Sequence, residues 1–259
     1  MKDVDIIIVA PESLDYPNFR KFLHNVRCDF NEIIYVFTKD SSRFNYSNFI
    51  KTNLPFVKFI HSENKNNRDW RDAATNDGID NSNANKILFI EPDFKINKNV
   101  LLNINLDNDV VSYYDNALRI WPSFLIVKKE ILEKTDRNFS AGRFDQIIKL
   151  DGVNLKRPMI KNKITEKNVL VDHFGKFTSD LLNLTDDFCF LNESNIEFHH
   201  YAGITHNFSL CRNNTLQYLH NPLIFLDYLN ESLKCGVQLD DSYKNECVEY
   251  IELIKSYYL

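Results

Sequence analysis

The chain has 259 residues, 44% of them hydrophobic and 26% charged, with a formal net charge of -5. That is enough apolar material for one sizeable core, at the charge content of an ordinary folded domain, and it excludes disordered and fibrous classes. The acidic balance argues against a life on nucleic acid or on an anionic membrane, and Lys156, Arg157, Lys161 and Lys163 read as a solvated loop.

In chain order, Val4 to Ala10 (VDIIIVA) is a continuous β-branched run, as expected of a strand buried on both faces. Asp15 to Val26 carries Phe19, Phe22, Leu23 and Val26 at helical spacing. Glu32 to Thr38 reads as a second strand, Phe44 to Ile50 as a short helix and Pro55 to His61 as a third strand. Asp69 to Asn81 reads as a helix and Lys86 to Ile90 as a fourth strand. Strand–helix alternation at these spacings predicts a parallel sheet with crossover helices. Ligands of such sheets bind beyond the carboxyl ends of the strands, so Pro11 to Tyr16, Ser62 to Arg71 and Glu91 to Phe94 are expected to line one cleft.

Further on, Asp109 to Tyr114 and Arg119 to Val127 look like strands and Lys128 to Thr135 like a short helix. Arg137 to Asn168 is polar and broken by Gly142, Gly152 and Pro158, which predicts loop. Asp172 to Leu182 resumes helical spacing, and Ile196 to His200 is strand-like. Thr215 to Leu259 reads as two helices divided at Cys235-Gly236, which either pack on the preceding domain, the default, or form a homodimer contact. There are five cysteines and no Cys-x-x-Cys pair, and Cys28, Cys189 and Cys211 lie in or beside apolar runs, as buried thiols do. With no signal-peptide pattern before the first strand and no apolar stretch near the ~20 residues needed to span a bilayer, a cytoplasmic location is expected.

The segment richest in chemistry is ILFIEPDF, Ile87 to Phe94, in which a buried strand runs straight into Glu91-Pro92-Asp93. Pro92 stops the strand because it has no N–H. Two carboxylates there suit a hard divalent cation, Mg²⁺ or Mn²⁺, which would neutralise a diphosphate leaving group. An acidic turn that merely ends a strand is the plainer alternative. The run EFHHYAGITHNF puts His199, His200 and His206 within eight positions, a density that suggests metal or phosphate contact. His199 and His200 are adjacent, so on a strand only one of them faces the cleft. Asp172, in VDHFGKF, stands at a predicted helix start, where it is either a general base or a helix cap, and Asp145, in RFDQII, is the rival base. Trp121 is the kind of residue that stacks on sugar rings, or else it is core.

The stretch from Ala73-Ala74-Thr75-Asn76-Asp77-Gly78-Ile79 through a polar loop to Glu91 and Asp93, together with IIIVAPES (Ile6 to Ser13), resembles the family-2-type glycosyltransferases of the GT-A fold. Glu91 stands where that family usually has Asp, and Thr75 where Arg is common, which shifts the expected pyrophosphate contacts to Arg68 or Arg71. The resemblance implies a mostly parallel GT-A-like sheet flanked by helices. It implies a catalytic domain over residues 1–210, nucleotide-sugar-binding in 1–95 and acceptor-side in 96–210, with a C-terminal helical appendage over 211–259. It also implies transfer of a sugar from a nucleoside diphosphate sugar to a hydroxyl acceptor, with inversion. By the same resemblance Ala10, Pro11 and Glu12 contact base and ribose, and Asn76 belongs to the donor site. Asp93 binds Mn²⁺ or Mg²⁺, Glu91 contacts the ribose or the metal through water, and His200 or His206 completes the metal shell. Asp172 takes the acceptor's proton, and the acceptor is a glycan or glycan precursor rather than a modified nucleic-acid base. Two alternatives stay open, an inactive nucleotide-sugar-binding or assembly module and a nucleotidyltransferase. The latter usually carries a Gly-rich basic loop after its first strand, where this chain has APESLDYPN.

Overall fold

A computed structural model describes the chain except residues 41, 64–69, 115–119, 140–146, 151–152, 157–158, 162–167, 171–174, 192–197 and 201–202. The first half alternates as expected: β1 (Val4–Pro11), α1 (Pro17–Val26), β2 (Ile33–Thr38), α2 (Ser47–Asn53), β3 (Lys58–Ser62), α3 (Trp70–Asp80) and β4 (Lys86–Ile90). β3 begins at Lys58 rather than Pro55, and α1 and α2 also start later than the periodicity predicts, for local reasons. Pro17 sets the first turn of α1, where its missing N–H costs nothing. The Asn45 side chain accepts from the Ser47 amide at 2.9 Å, a turn that delays α2 until Ser47.

The chain continues through β5 (Phe94–Ile96), α4 (Lys98–Leu102), β6 (Val110–Tyr114), β7 (Ile120–Lys128) and α5 (Lys129–Leu132). The region expected to be loop contains short pairs instead. β8 (Ile147–Leu150) lies antiparallel to β9 (Val153–Lys156), and β10 (Met159–Lys161) to β11 (Asn168–Leu170). Then come α6 (Gly175–Leu184), β12 (Phe188–Leu191), β13 (Phe198–His200) and α7 (Ile204–Arg212). A single 3-10 turn at Leu216–Tyr218 leads to α8 (Pro222–Lys234) and α9 (Asp241–Tyr258).

The central sheet has seven strands in the order β12-β6-β7-β4-β1-β2-β3. Among them β7 alone is antiparallel to its neighbours, β4 and β6; the others run one way. Helices cover both faces, and the alternation of strand residues sorts them into two cores. Ile6, Ile8, Ala10, Tyr35, Phe37, Leu88 and Ile90 face α1, α7, α8 and α9. Ile7, Ile34, Val36, Ile87 and Phe89 face α3, α5 and α6. Each fully buried Ile or Val contributes about 1.5–3 kcal/mol of transfer free energy, which is why the VDIIIVA run takes the centre of the sheet.

The C-terminal helices do not stand apart. Tyr228, Tyr243, Cys247, Tyr250, Ile251 and Ile254 lie in the same core cluster as β1 and β2. Burial pushes the Cys211 and Cys247 thiols up to about 12. Cys28, expected to be buried, is exposed, in the turn just past the end of α1. Among the described residues no helix is long and apolar enough to cross a membrane.

Candidate functional site

The sheet order contains a switch point. From β1 the chain moves outward through β2 to β3, then returns by α3 to lay β4 on the other side of β1. The segments leaving the carboxyl ends of β1 and β4 therefore diverge, and the crevice between them is where open α/β sheets hold ligands. Glu12 and Ser13 leave β1 on one side of it, and Glu91-Pro92-Asp93 leaves β4 on the other.

At the β4 end, the Phe94 amide donates to the Glu91 carbonyl at 3.1 Å, closing a tight turn that half-buries Glu91 and Asp93. Arg71, in the first turn of α3, brings Nη1 to 3.4 Å from Glu91 Oε1. Both side chains keep roughly a third of their surface, and a pair so exposed contributes only ~0.2–1 kcal/mol. Tyr16 lies behind this corner, almost fully buried, its hydroxyl sharing a hydrogen bond with Thr205 Oγ1 at 2.7 Å. Burial, and then the Asp93 carboxylate, drive its ionisation far up; Thr205 and Arg71 oppose this, and Glu91 adds to it. Tyr16 is thus a neutral hydroxyl between the post-β1 segment, the acidic corner and α7.

The late segment returns to the same place. β13 pairs antiparallel with β5, and His200 lies opposite Phe94, the residue after Asp93. Gly203, at φ 82, turns the chain into α7, whose second residue is Thr205. His206 is exposed, with its ring edge-on to that of His220 at 4.9 Å. The reversed strand β7 begins at this edge of the sheet. Phe124 pairs with Ile90, so the backbone of Trp121 lies beyond the end of β4, at the level of the acidic turn.

Other expected residues have other surroundings. Ala10 and Pro11 are still inside β1, opposite Phe37 and Thr38, with the Ala10 side chain in the core. The Asn76 amide donates to the Arg137 carbonyl at 3.1 Å and to the Asp72 carbonyl at 2.9 Å, while Asp72 accepts from the Phe139 amide at 2.8 Å. This face of α3 therefore holds the 135–139 segment. Arg68, Asp145 and Asp172 lie outside the described residues, as do the side chains of Trp121 and His200.

No group of three His, Cys, Asp or Glu side chains among the described residues is placed to hold an ion. Two carboxylates completed by phosphate oxygens are, however, a usual Mg²⁺ arrangement.

Sequence reading placed Tyr16 at the end of a cleft-lining segment without giving it a role, and missed Thr205, Arg212 and Glu246. Arg212, at the end of α7, donates through Nε and Nη2 to Glu246 at 2.8 and 2.9 Å, and through Nη2 to the Ser13 carbonyl at 2.9 Å. Removing one partner of so buried a pair strands the other, at a cost of about 3–5 kcal/mol.

No family model and no curated protein sequence matches the chain. Solved structures do resemble it. Residues 1–349 of TarS from S. aureus are 12% identical over 99% of this chain and 83% of that one, with a TM-score of 0.49. Glucosyl-3-phosphoglycerate synthase from Mycobacterium tuberculosis was crystallised with Mn²⁺, UDP and glucosyl-3-phosphoglycerate. It is 10% identical over 73% of this chain and 69% of that one, with a TM-score of 0.45. A mycobacterial protein is 9% identical over 50% of this chain, at a TM-score of 0.38, and the match spans only 54% of that protein's length. At such identities the likeness is one of chain path, and no activity is taken from it.

Proposed function

We propose that the chain is a metal-dependent glycosyltransferase that moves a sugar from a nucleoside diphosphate sugar to a hydroxyl acceptor, with inversion. The observation that carries this reading is Glu91-Pro92-Asp93 at the carboxyl end of β4, across the switch point from the corner that follows β1. In this reading Glu12 and the neighbouring backbone hold the nucleoside, and Arg71 leaves Glu91 to contact the diphosphate, with Arg68 as its partner. Asp93 holds Mn²⁺ or Mg²⁺, assisted by His200, whose backbone lies opposite Phe94. The cation, when bound, neutralises charge on the departing diphosphate. His206 stands second to His200 as a ligand because it is exposed on α7. Asn76 acts through the 135–139 segment rather than on the donor. Trp121 would flank a glycan or glycan-precursor acceptor, and Asp172, or its rival Asp145, would take the proton of the attacking hydroxyl.

The test is thermal unfolding with a panel of nucleoside diphosphates, with and without Mn²⁺. A ligand at about 100 times its Kd adds ~2.7 kcal/mol of apparent stability. The expected outcome is a shift with one diphosphate that needs Mn²⁺, absent in Asp93→Ala although that variant melts like the parent. Once the donor is known, Asp172→Asn is expected to lower kcat by ~10²–10⁴-fold with donor affinity unchanged; if only Asp145→Asn does so, the rival is the base. A folded Asp93→Ala with full metal-dependent binding and turnover would refute the proposal.

A further inference from the structure

Glu246 lies on the last helix, 200 positions from Tyr46 and far along the chain from the switch point, yet its carboxylate collects four donors. Oε1 accepts from Arg212 Nε at 2.8 Å and the Tyr250 hydroxyl at 2.7 Å; Oε2 accepts from Arg212 Nη2 at 2.9 Å and the Tyr46 hydroxyl at 2.8 Å. Two of these donors reach onward to the corner that leaves β1. Arg212 Nη2 donates to the Ser13 carbonyl at 2.9 Å, and the Tyr46 amide donates to the Glu12 carbonyl at 2.8 Å. The Glu12 amide is tied in turn to the Thr38 carbonyl at 3.0 Å. Both successive carbonyls of the corner are thus held by residues whose side chains bond Glu246, Ser13 through the Arg212 guanidinium itself and Glu12 through the Tyr46 backbone. Arg212 is also clamped in place, its guanidinium 4.3 Å from the Phe44 ring centroid.

We infer that Glu246 is a positioning residue of the donor pocket, fixing from α9 the Glu12–Ser13 corner on which the nucleoside rests. The inference rests on the glycosyltransferase reading for the word donor, but the mechanical link stands on the hydrogen bonds alone. A carboxylate is required, because only a charged acceptor takes the bidentate guanidinium and two hydroxyls together. An amide at the same place would turn a donor toward Arg212 and release its fork.

The experiment compares the full-length parent with Glu246→Gln by site-resolved hydrogen exchange and by titration with UDP in the presence of Mn²⁺. The expected result is exchange at the Glu12 and Tyr46 amides accelerated at least tenfold more than at Leu88 and Phe89 in β4, and UDP binding at least tenfold weaker. If Glu246→Gln does not fold, Tyr46→Phe and Tyr250→Phe, which each remove one hydroxyl, are expected to move the same two amides by a smaller factor. A uniform rise across β1 and β4 would mark Glu246 as merely stabilising and overturn the inference, and so would an unchanged corner. If the parent does not bind UDP, uridine is excluded as the donor base, while the exchange pattern still decides the role of Glu246.

Discussion

Gly78 shows how a motif that points to function also does structural work. A Cβ there would lie 2.6 Å from Ile7 Cγ2 and 3.4 Å from Val36 Cγ2, so α3 approaches β1 more closely than any side chain allows. Gly78→Ala gains ~0.5–1 kcal/mol of helix propensity, but crowding a packed core costs ~1–3 kcal/mol. Because Ile7 is itself fully buried and cannot yield, a net loss of about 1 kcal/mol or more is expected, read from urea unfolding. At this scale the sequence was partly legible. Glu91, Asp93 and Arg71 announce themselves by charge beside an apolar strand. Tyr16 was read only as the end of a cleft-lining segment, because its partner Thr205 lies 189 positions away. Asn76 was read as a donor contact from its motif, and its amide serves a carbonyl 61 positions away that no local pattern reveals.

Among the elements, those set by long periodic runs were readable and those set by partners were not. β1, β2, β4 and the two terminal helices follow from β-branched runs and helical spacing. β13 was read within Ile196 to His200, but its partner β5, three residues long, was not, because it exists through that pairing. α7 was hidden by its histidines and polar residues, although Gly203 marks its start. That glycine has φ 82 and ψ 20, and a Cβ added to it would meet nothing nearer than 3.5 Å. Space is therefore not the issue; backbone strain is. Gly203→Ala is expected to cost ~1–2 kcal/mol for the left-handed conformation alone, seen as a lowered urea midpoint. A stability equal to the parent's would show that α7 can begin without that turn.

For the whole molecule, mostly parallel α/β architecture was legible from alternation and packing of the C-terminal helices was the default expectation, but the groups that anchor them were not readable, since helical spacing does not say what a helix packs against. Their attachment includes the buried Arg20–Asp15 pair, with Arg20 Nη2 also 2.6 Å from the Gln238 carbonyl, and Lys21 on the Cys235 carbonyl at 2.8 Å. It should also be visible in acid. Burial alone would raise the Glu246 carboxyl, but Arg212, Tyr250 and Tyr46 donate to it and hold it below the ordinary glutamate value. The Lys128 ammonium and the Thr185 hydroxyl lower Asp109 likewise. Depressed carboxyls contribute stability that is fully present above their unfolded values, about pH 4–4.5, and is lost as pH falls through the lower folded values. The urea midpoint is therefore expected to fall steadily below about pH 4.5, and less steeply in Glu246→Gln. Equal slopes in parent and variant would exclude Glu246 from the acid response.

The ties from Ser13 to Arg212 and from Tyr46 to Glu246 span 199 and 200 positions. On a ribosome, β1 through β4 emerge and can pair long before α9 exists. Until then the corner after β1 has only its local ties to Thr38 and Tyr46. Loop closure over such separations comes late in folding. In the proposed reading the nucleotide corner is therefore set only once α9 has docked, and it is set by the same helix that closes the core over β1 and β2.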